Sequence, residues 1–155
     1  MWRWIKNFWQ DFSRYFSSDP LVRISFSPIG TTRKSTSNNP KEQLARIGES
    51  EAEKFLRDNN YVILQRNIIL SNGEVDIIAK DKNVLVFIEV KTRRSENYGK
   101  PYEAVTPAKQ KRLHKLAVQF MNLLKLRNIN YRIDIISIIL PQNSEPQITH
   151  IKDIK

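Results

Sequence analysis

Two carboxylates and one lysine interrupt apolar runs near the middle of the chain. Asp76 lies within the run 73–79, and Glu89 and Lys91 end the run 84–91. A charge in apolar surroundings is costly unless it is paired or bound to a metal ion. These three groups can neutralise one another at a strand end, or the oxygens can hold a hard cation. The residue types alone leave both interpretations open.

Both runs are predicted to be β-strands, because they are rich in Val, Ile and Phe and a polar turn over residues 80–83 joins them. Since side chains alternate along a strand, two sets of residues are each expected to share a face. The sets are Glu74, Asp76 and Ile78 on the first strand, and Leu85, Phe87, Glu89 and Lys91 on the second. The hairpin is therefore expected to bring the carboxylates and the lysine together.

The composition favours an anionic partner. The chain has 155 residues and a net charge of +10, which suits nucleic acid or an acidic membrane surface. It has no cysteine and only two histidines, which excludes thiolate metal sites and argues against a histidine-rich zinc site. No apolar run is long enough to span a membrane. A cytoplasmic protein, free or peripheral to a membrane, is expected.

Three segments follow from the patterning. Residues 1–16 form an amphipathic helix pattern with all three tryptophans on the apolar face and basic residues opposite. Such a helix suits a membrane surface, or docking on a partner protein or on the protein's own domain. Residues 17–40 are expected to be a flexible linker because their second half is polar. Residues 41–155 are predicted to form one globular domain.

The domain is predicted to be α/β, with a mixed central sheet flanked by helices. A helix is followed by a three-strand meander, a second helix and a further strand, and the helical crossover lets that strand lie parallel to a meander strand. The predicted elements are a helix from Pro40 to about Asp58, a strand from Tyr61 to Leu70, the two strands described above, a helix capped by Thr106, a strand from Tyr131 to Leu140 and an edge strand from Gln147 to Ile151.

The first predicted helix carries another candidate carboxylate. Glu49 lies at the border of the apolar arc of this helix, and Glu51 falls inside the arc. One of them is expected to point toward the sheet. The commoner situation for a single glutamate is an ordinary surface position. The helical pattern alone favours Glu51.

A basic stretch follows the carboxylate hairpin. Residues 91–115 contain eight lysines and arginines against two glutamates, with Tyr98 and Tyr102 interleaved. Basic side chains bind phosphates, and aromatic rings stack on unpaired bases. A solvated basic helix face is the structural alternative. The candidates for nucleic-acid binding are Arg93, Arg94, Lys109, Lys111 and Arg112.

Together these residues resemble the YraN-like family of largely uncharacterised bacterial proteins, over roughly residues 41–140. That family is similar to the restriction-endonuclease-like PD-(D/E)xK superfamily and, within it, to archaeal Holliday-junction resolvases. The resemblance rests on Ile47-Gly48-Glu49, residues 61–67, residues 73–79, residues 87–93, Gly99-Lys100-Pro101, residues 103–106, Lys109 and Arg132-Ile133-Asp134.

The resemblance implies a restriction-endonuclease-like fold and a nuclease that hydrolyses phosphodiester bonds in DNA, including branched or single-stranded DNA, with Mg²⁺ or Mn²⁺. By this resemblance Asp76 matches the motif aspartate, Glu89 and Lys91 match the ExK segment, and Glu49 matches the helix glutamate. Val75 stands where the full signature has proline. Resolvase relatives are dimers, so the resemblance also implies a homodimer.

The same resemblance assigns roles to individual groups. Asp76, Glu89 and the Val90 carbonyl would bind the metal, and Glu49 would complete the outer coordination. Lys91 would orient the attacking water or neutralise charge on the phosphate. The alternative from another class is a nucleic-acid-binding module that has kept the fold without turnover. The intact carboxylates and lysine favour the nuclease.

Overall fold

The computed structural model describes residues 39–95, 106–124, 126, 128–142 and 144–154. The predicted amphipathic helix over residues 1–16 and the predicted linker up to residue 38 lie outside the described residues. The two tyrosines of the basic stretch, Tyr98 and Tyr102, also lie outside them.

The first helix, α1, spans Pro40–Asp58, as predicted. Proline suits the first helical position because its missing N–H has no helical partner there. Asn39 precedes it, and the Asn39 side chain accepts a hydrogen bond from the Lys41 N–H at 3.0 Å. The helix ends at Asp58, and Asn59 is its C-cap. The next residue, Asn60, has a φ of 65° that stops the helical backbone.

Five strands and a second helix follow α1, and the prediction of a mixed sheet flanked by helices is confirmed. The strands form one sheet in the order β1-β2-β3-β4-β5. Strands β3 and β4 are parallel, and the other neighbouring pairs are antiparallel. The elements are β1 Val62–Leu70, β2 Gly73–Asp81, β3 Val84–Arg93, α2 Pro107–Leu123, β4 Tyr131–Ile139 and β5 Gln147–Ile151.

The helices cover opposite faces of the sheet. On one face Leu116 and Phe120 of α2 pack in a cluster with Phe87. On the other face Ala52 and Leu56 of α1 pack in a separate cluster against the sheet. All five side chains are at most 1% exposed, so the sheet is buried on both faces at its centre. In the described part of the chain, neither helix is long and apolar enough to cross a membrane.

The alternation of side chains fails at Asp76. Ile77 packs in the α1-side cluster and Ile78 in the α2-side cluster, as alternation requires. Val75 should then lie on the α1 side with Ile77, but it packs on the α2 side. The predicted shared face of Glu74, Asp76 and Ile78 is therefore wrong, because one residue of β2 does not follow the pleat.

The neighbouring strand explains this break. Arg66 pairs with Ile77 and Ile68 with Val75, so Asn67 lies directly opposite Asp76. Asn67 has a φ of 50°, a left-handed backbone conformation that interrupts regular strand geometry. The kink in β1 and the break in β2 thus occur at the same level of the sheet.

A buried polar network ties β4 to its neighbours. Asp134 is fully buried, and its carboxylate accepts from Arg132 Nε at 3.0 Å and lies 2.9 Å from His150 Nε2. Arg132 also donates to Asp81 at 2.8 Å and to the Tyr61 hydroxyl at 2.7 Å. Burial raises the pKa of Asp134, but the bonds from His150 and Arg132 outweigh burial and hold the pKa below its usual range.

Candidate active site

Asp76 lies where β2 and β3 separate. The paired register of these strands ends at Ile77 and Ile88, and beyond it the Val90 N–H donates to Asp76 Oδ2 at 2.7 Å. The side chain of Asp76 thus bonds to the backbone of the adjacent strand. In an extended antiparallel strand the N–H and carbonyl of one residue face the same neighbour. The Val90 carbonyl therefore also faces β2.

Glu89 joins two lysines from different elements. It is 4% exposed, and its Oε1 lies 2.5 Å from Lys91 Nζ and 2.9 Å from Lys109 Nζ. Lys91 is two residues further along β3, which confirms that Glu89 and Lys91 share a face. Lys109 comes from the first turn of α2, where the Thr106 side chain accepts the Lys109 N–H at 3.3 Å and caps the helix.

The ion pairs determine the charge states of these groups. Burial raises the pKa of Glu89, but the bonds from Lys91 and Lys109 outweigh it and hold that pKa below its usual range. Burial lowers the pKa of Lys91, but the Glu89 carboxylate overcomes this and raises it. For Lys109, burial and the adjacent Lys91 together lower the pKa, despite the ion pair with Glu89.

Asp76 is in the opposite situation. Burial, the negative charge of Glu89 and the negative charge of Glu49 raise the pKa of Asp76, while the Val90 N–H and Lys91 lower it. The result is a pKa of about 7. A carboxylate that is buried among other carboxylates becomes fully ionised when a cation binds beside it. The electrostatics of Asp76 therefore suit a cation-binding site.

Glu49 reaches the site from α1. The preceding residue, Gly48, is buried, and a Cβ at this position would overlap the Thr92 side chain, so α1 and β3 approach closely there. Burial raises the pKa of Glu49, and the hydrogen bond with Asn67 opposes this rise. Of the two α1 carboxylates proposed from the sequence, Glu49 is the one whose charge acts on Asp76.

The other basic candidates differ in their exposure. Arg93 is half-buried at the end of β3, and its carbonyl accepts the Leu140 N–H at 2.8 Å. Arg94, Lys111 and Arg112 are exposed. Of the five basic candidates, Lys109 is the one whose ion pair with a site carboxylate the structure describes.

The donors fit a hard divalent cation. Within the described ranges, no three His, Cys, Asp or Glu side chains form a ready-made metal cluster. Mg²⁺ does not need such a cluster, because it is usually bound through one or two carboxylates, water and substrate phosphate. Asp76, Glu89 and the Val90 carbonyl supply oxygen donors of this kind. The charge of Glu49 acts on this set from the α1 side.

Comparison with known proteins gives the family. The family model described as "Uncharacterised protein family UPF0102" matches residues 48–138, which is more than half of the chain. The chain belongs to the UPF0102 family. The UPF0102 match includes Glu49, Asp76, Glu89, Lys91 and both helices except the beginning of α1.

Individual UPF0102 proteins match over most of their own length. A UPF0102 protein of Geotalea daltonii is 42% identical over 115 residues, which cover 74% of this chain and 91% of the relative. One from Caldicellulosiruptor saccharolyticus is 44% identical over 105 residues, covering 68% and 89%. One from Clostridium tetani is 41% identical over 117 residues, covering 75% and 96%.

Two features of this UPF0102 protein were not expected from its sequence. Lys109 was proposed to hold a nucleic-acid backbone, yet it pairs directly with Glu89. Its place in the first turn of the helix after the ExK strand is the signal that could have indicated this. The network around Asp134 was not foreseen either, although a charge inside the apolar run 133–140 was visible.

Proposed function

We propose that this protein is a divalent-metal-dependent nuclease that hydrolyses phosphodiester bonds in DNA. One observation carries the proposal: the N–H of Val90 donates to Asp76, and Glu89, the residue before Val90 on β3, holds two lysines in ion pairs. The resemblance of the Asp76, Glu89 and Lys91 motif to the PD-(D/E)xK superfamily points to the same chemistry.

The residues that would hold the metal are Asp76, Glu89 and the Val90 carbonyl, with Glu49 acting through outer coordination. When bound, Mg²⁺ or Mn²⁺ supplies a Lewis acid beside the phosphodiester and lowers the pKa of a coordinated water. Burial and the charge of Glu89 favour the protonated form of Asp76. Asp76 would release this proton when the cation binds. The Val90 N–H fixes one oxygen of Asp76 and so orients the carboxylate.

The lysines would act on the phosphate and on water. The Lys91 side chain is 38% exposed, so its ammonium can orient the attacking water or neutralise charge developing on the phosphate. The Lys109 side chain is 18% exposed and offers a second ammonium from α2. Arg93, Arg94 and the exposed basic residues of α2 would bind flanking phosphates of the DNA.

The test is a cleavage panel with duplex, flap, junction, single-stranded DNA and RNA substrates. We expect cleavage with Mg²⁺ or Mn²⁺ and none in EDTA. Asp76→Ala and Lys91→Ala should each lower the cleavage rate by roughly 100-fold or more, because the first removes a ligand of the metal and the second removes an ammonium that would stabilise charge on the reacting phosphate. Asp58→Ala and Lys54→Ala change exposed residues of α1 and serve as matched controls with unchanged rates.

Binding measurements separate the remaining interpretations. Salt-dependent DNA binding by Asp76→Ala at near wild-type strength would show that the variant is folded and lacks only turnover. If the wild-type protein binds nucleic acid but cuts none of the substrates, it is a binding module and not a nuclease. If calorimetry also detects no binding of Mg²⁺ or Mn²⁺, the metal site is contradicted as well.

A further inference from the structure

Asn67, in the middle of β1, combines an unusual backbone with a contact to α1. Its φ is 50°, a left-handed conformation that asparagine adopts more readily than most residues with a Cβ. Its side chain forms a hydrogen bond with Glu49 of α1. The bond favours the ionised form of Glu49, so the Asn67 amide N–H donates and the carboxylate accepts. Asn67 therefore contacts one of the carboxylates assigned to the candidate site.

The left-handed backbone changes the direction in which the β1 side chains point. Arg66 points to α1, where its Nη1 lies 2.5 Å from Glu53 Oε2. In a regular strand Asn67 would then point to the α2 side, and Ile68 would point to the α1 side. The structure has the reverse, because Asn67 contacts α1 and Ile68 packs in the α2-side cluster. Two consecutive side chains of β1 can reach α1 because the backbone at the second is left-handed.

These two β1 residues contact successive turns of α1. Glu49 and Glu53 are four residues apart, so they lie on the same side of the helix. Arg66 pairs with Glu53, and the amide of the next residue, Asn67, binds Glu49. The charge of Glu49 acts in turn on Asp76, which lies directly opposite Asn67 on β2. One part of this double contact between β1 and α1 thus reaches the candidate metal site.

Two effects oppose the placement of Glu49 beside Asp76, and the Asn67 amide counters both. Without a cation the two carboxylates repel each other when both are ionised. A glutamate side chain also has rotamer freedom that it loses when it joins a metal site. A donor bound to one carboxylate oxygen holds the side chain in place, and the second oxygen can still accept from a metal-bound water. Asparagine suits this position because it tolerates the left-handed backbone and supplies the donor.

We infer that Asn67 is a positioning residue of the candidate metal site, which keeps Glu49 turned toward Asp76 so that both carboxylates act on one cation. This inference rests on the proposed function, since it requires a divalent cation at Asp76. Asn67 acts through Glu49, as do other outer partners that orient the groups around a metal ion. The Val90 N–H has the corresponding role for Asp76. Each of the two carboxylates is thus oriented by a donor from a different strand.

Calorimetric titration of the full chain with Mn²⁺, in the absence of DNA, tests this role. Asn67→Gly removes the amide and keeps the left-handed backbone, because glycine adopts that backbone without strain. We expect its affinity for Mn²⁺ to fall about 10-fold, as for other groups that orient a metal ligand. Glu49→Ala should lower the affinity at least as much. Adding Asn67→Gly to Glu49→Ala should then cause little further loss, because Asn67 acts through Glu49.

Glu53→Ala is the matched control. It breaks the other contact between β1 and α1, in which Arg66 takes part, and it leaves Asn67 and Glu49 in place. Urea unfolding should show a loss of stability in Glu53→Ala, whereas its affinity for Mn²⁺ should equal that of wild type. If Glu53→Ala weakens Mn²⁺ binding as much as Asn67→Gly does, a general loosening of α1 explains the loss and the positioning role is overturned.

The remaining outcomes separate this inference from the proposed function, which is read from the same preparations by adding DNA and following cleavage. Unchanged Mn²⁺ affinity in Asn67→Gly, or full additivity of Asn67→Gly and Glu49→Ala, overturns the inference. If the wild-type protein also cleaves DNA, the nuclease stands without this role for Asn67. Mn²⁺ binding that depends on Asn67, without cleavage, supports the inference and contradicts the nuclease. A wild-type protein that binds no Mn²⁺ contradicts both.

Discussion

Asp76 and Glu89 are neighbours with opposite proton affinities. Burial acts on both, but Glu89 has two ammonium partners and Asp76 has a backbone N–H and two carboxylate neighbours. The same end of the sheet therefore contains one carboxylate that stays ionised and one with a pKa of about 7. Such separation of pKa values is common in sites that do acid–base or metal chemistry.

Asp76→Asn should stabilise the metal-free protein at neutral pH. The pKa of Asp76 rises from 3.8 to about 7 on folding, so between these values the folded protein binds more protons than the unfolded chain. The free energy of unfolding therefore falls as pH rises through this window. Asparagine does not titrate, so the variant avoids this loss. We expect its free energy of unfolding at pH 7.5 to exceed that of wild type by on the order of 2 kcal/mol, which is less than the shift in the pKa of Asp76 would give by itself.

Urea unfolding in EDTA between pH 4 and 8 measures this effect. Wild type and Asp76→Asn should differ little near pH 4 and diverge as pH rises. Asp81→Asn is the control of opposite sign, because its ion pair with Arg132 lowers the pKa of Asp81 although burial would raise it. Parallel pH profiles for wild type and Asp76→Asn would show that folding does not raise the pKa of Asp76.

For individual residues, the sequence predicts the candidate site only in part. Asp76, Glu89 and Lys91 are recognisable because their charges interrupt apolar runs, which is a local signal. The pairing of Lys109 with Glu89 depends on how α2 lies on the sheet, which no local pattern contains. The broken alternation at Asp76 depends on Asn67, whose left-handed backbone lies within an apparently regular strand.

The elements themselves were predicted closely because their ends have local causes. Asn39 and Thr106 each accept a backbone N–H at a helix start, and proline follows both. The turn between β1 and β2 has glycine in a positive φ of 141°. Strand ends were less accurate: β2 extends to Asp81 and β3 to Arg93, past the predicted limits, because cross-strand pairing decides where a strand stops.

Gly48→Ala tests how α1 delivers Glu49 to the site. A Cβ at Gly48 would overlap the Thr92 side chain, so α1 must move away from β3. We expect a loss of about 1–3 kcal/mol in the free energy of unfolding, as for other overpacked positions. Replacing Thr92 by glycine in the same protein should recover part of the loss. Ser50→Ala on the exposed side of α1 should change stability by less than about 0.5 kcal/mol.

Arg132→Met tests the network that ties β4 to β5 and to the β2–β3 turn. The substitution leaves Asp134 fully buried without its guanidinium partner. Removing one partner of a buried ion pair costs about 3–5 kcal/mol, and thermal unfolding should show a correspondingly lower midpoint. Arg94→Met alters an exposed arginine and is the matched control. A change no larger than that of the control would mean that Asp134 does not depend on Arg132.

At the scale of the molecule, the two charged centres lie at different levels of the sheet. Glu89 and Lys91 lie toward the carboxyl end of β3, whereas Arg132 lies opposite Val86, near the start of the same strand. Because the two centres are separated along β3, the changes in the free energy of unfolding caused by substitutions at the two centres should be additive. The homodimer implied by the resemblance to resolvases stays a prediction, to be checked by sedimentation.

The role of residues 1–16 belongs to this scale. We expect the full chain to co-sediment with anionic vesicles, because tryptophans and basic residues lie on opposite sides of the predicted helix. A shortened chain that begins at Asn38 keeps the Asn39 cap of α1 and should stay in the supernatant. Neutral vesicles control for apolar adsorption. If both chains sediment with the anionic vesicles to the same extent, the membrane affinity belongs to the domain and not to residues 1–16.

The bond between the Val90 amide and Asp76 makes the proposed centre observable without any added label. An amide that donates to a carboxylate senses the charge of that carboxylate, so its nitrogen and proton resonances should shift as Asp76 titrates near neutral pH. A diamagnetic ion such as Mg²⁺ would displace the same resonances at constant pH. One backbone signal in a nitrogen-15 spectrum could therefore report protonation and cation occupancy together.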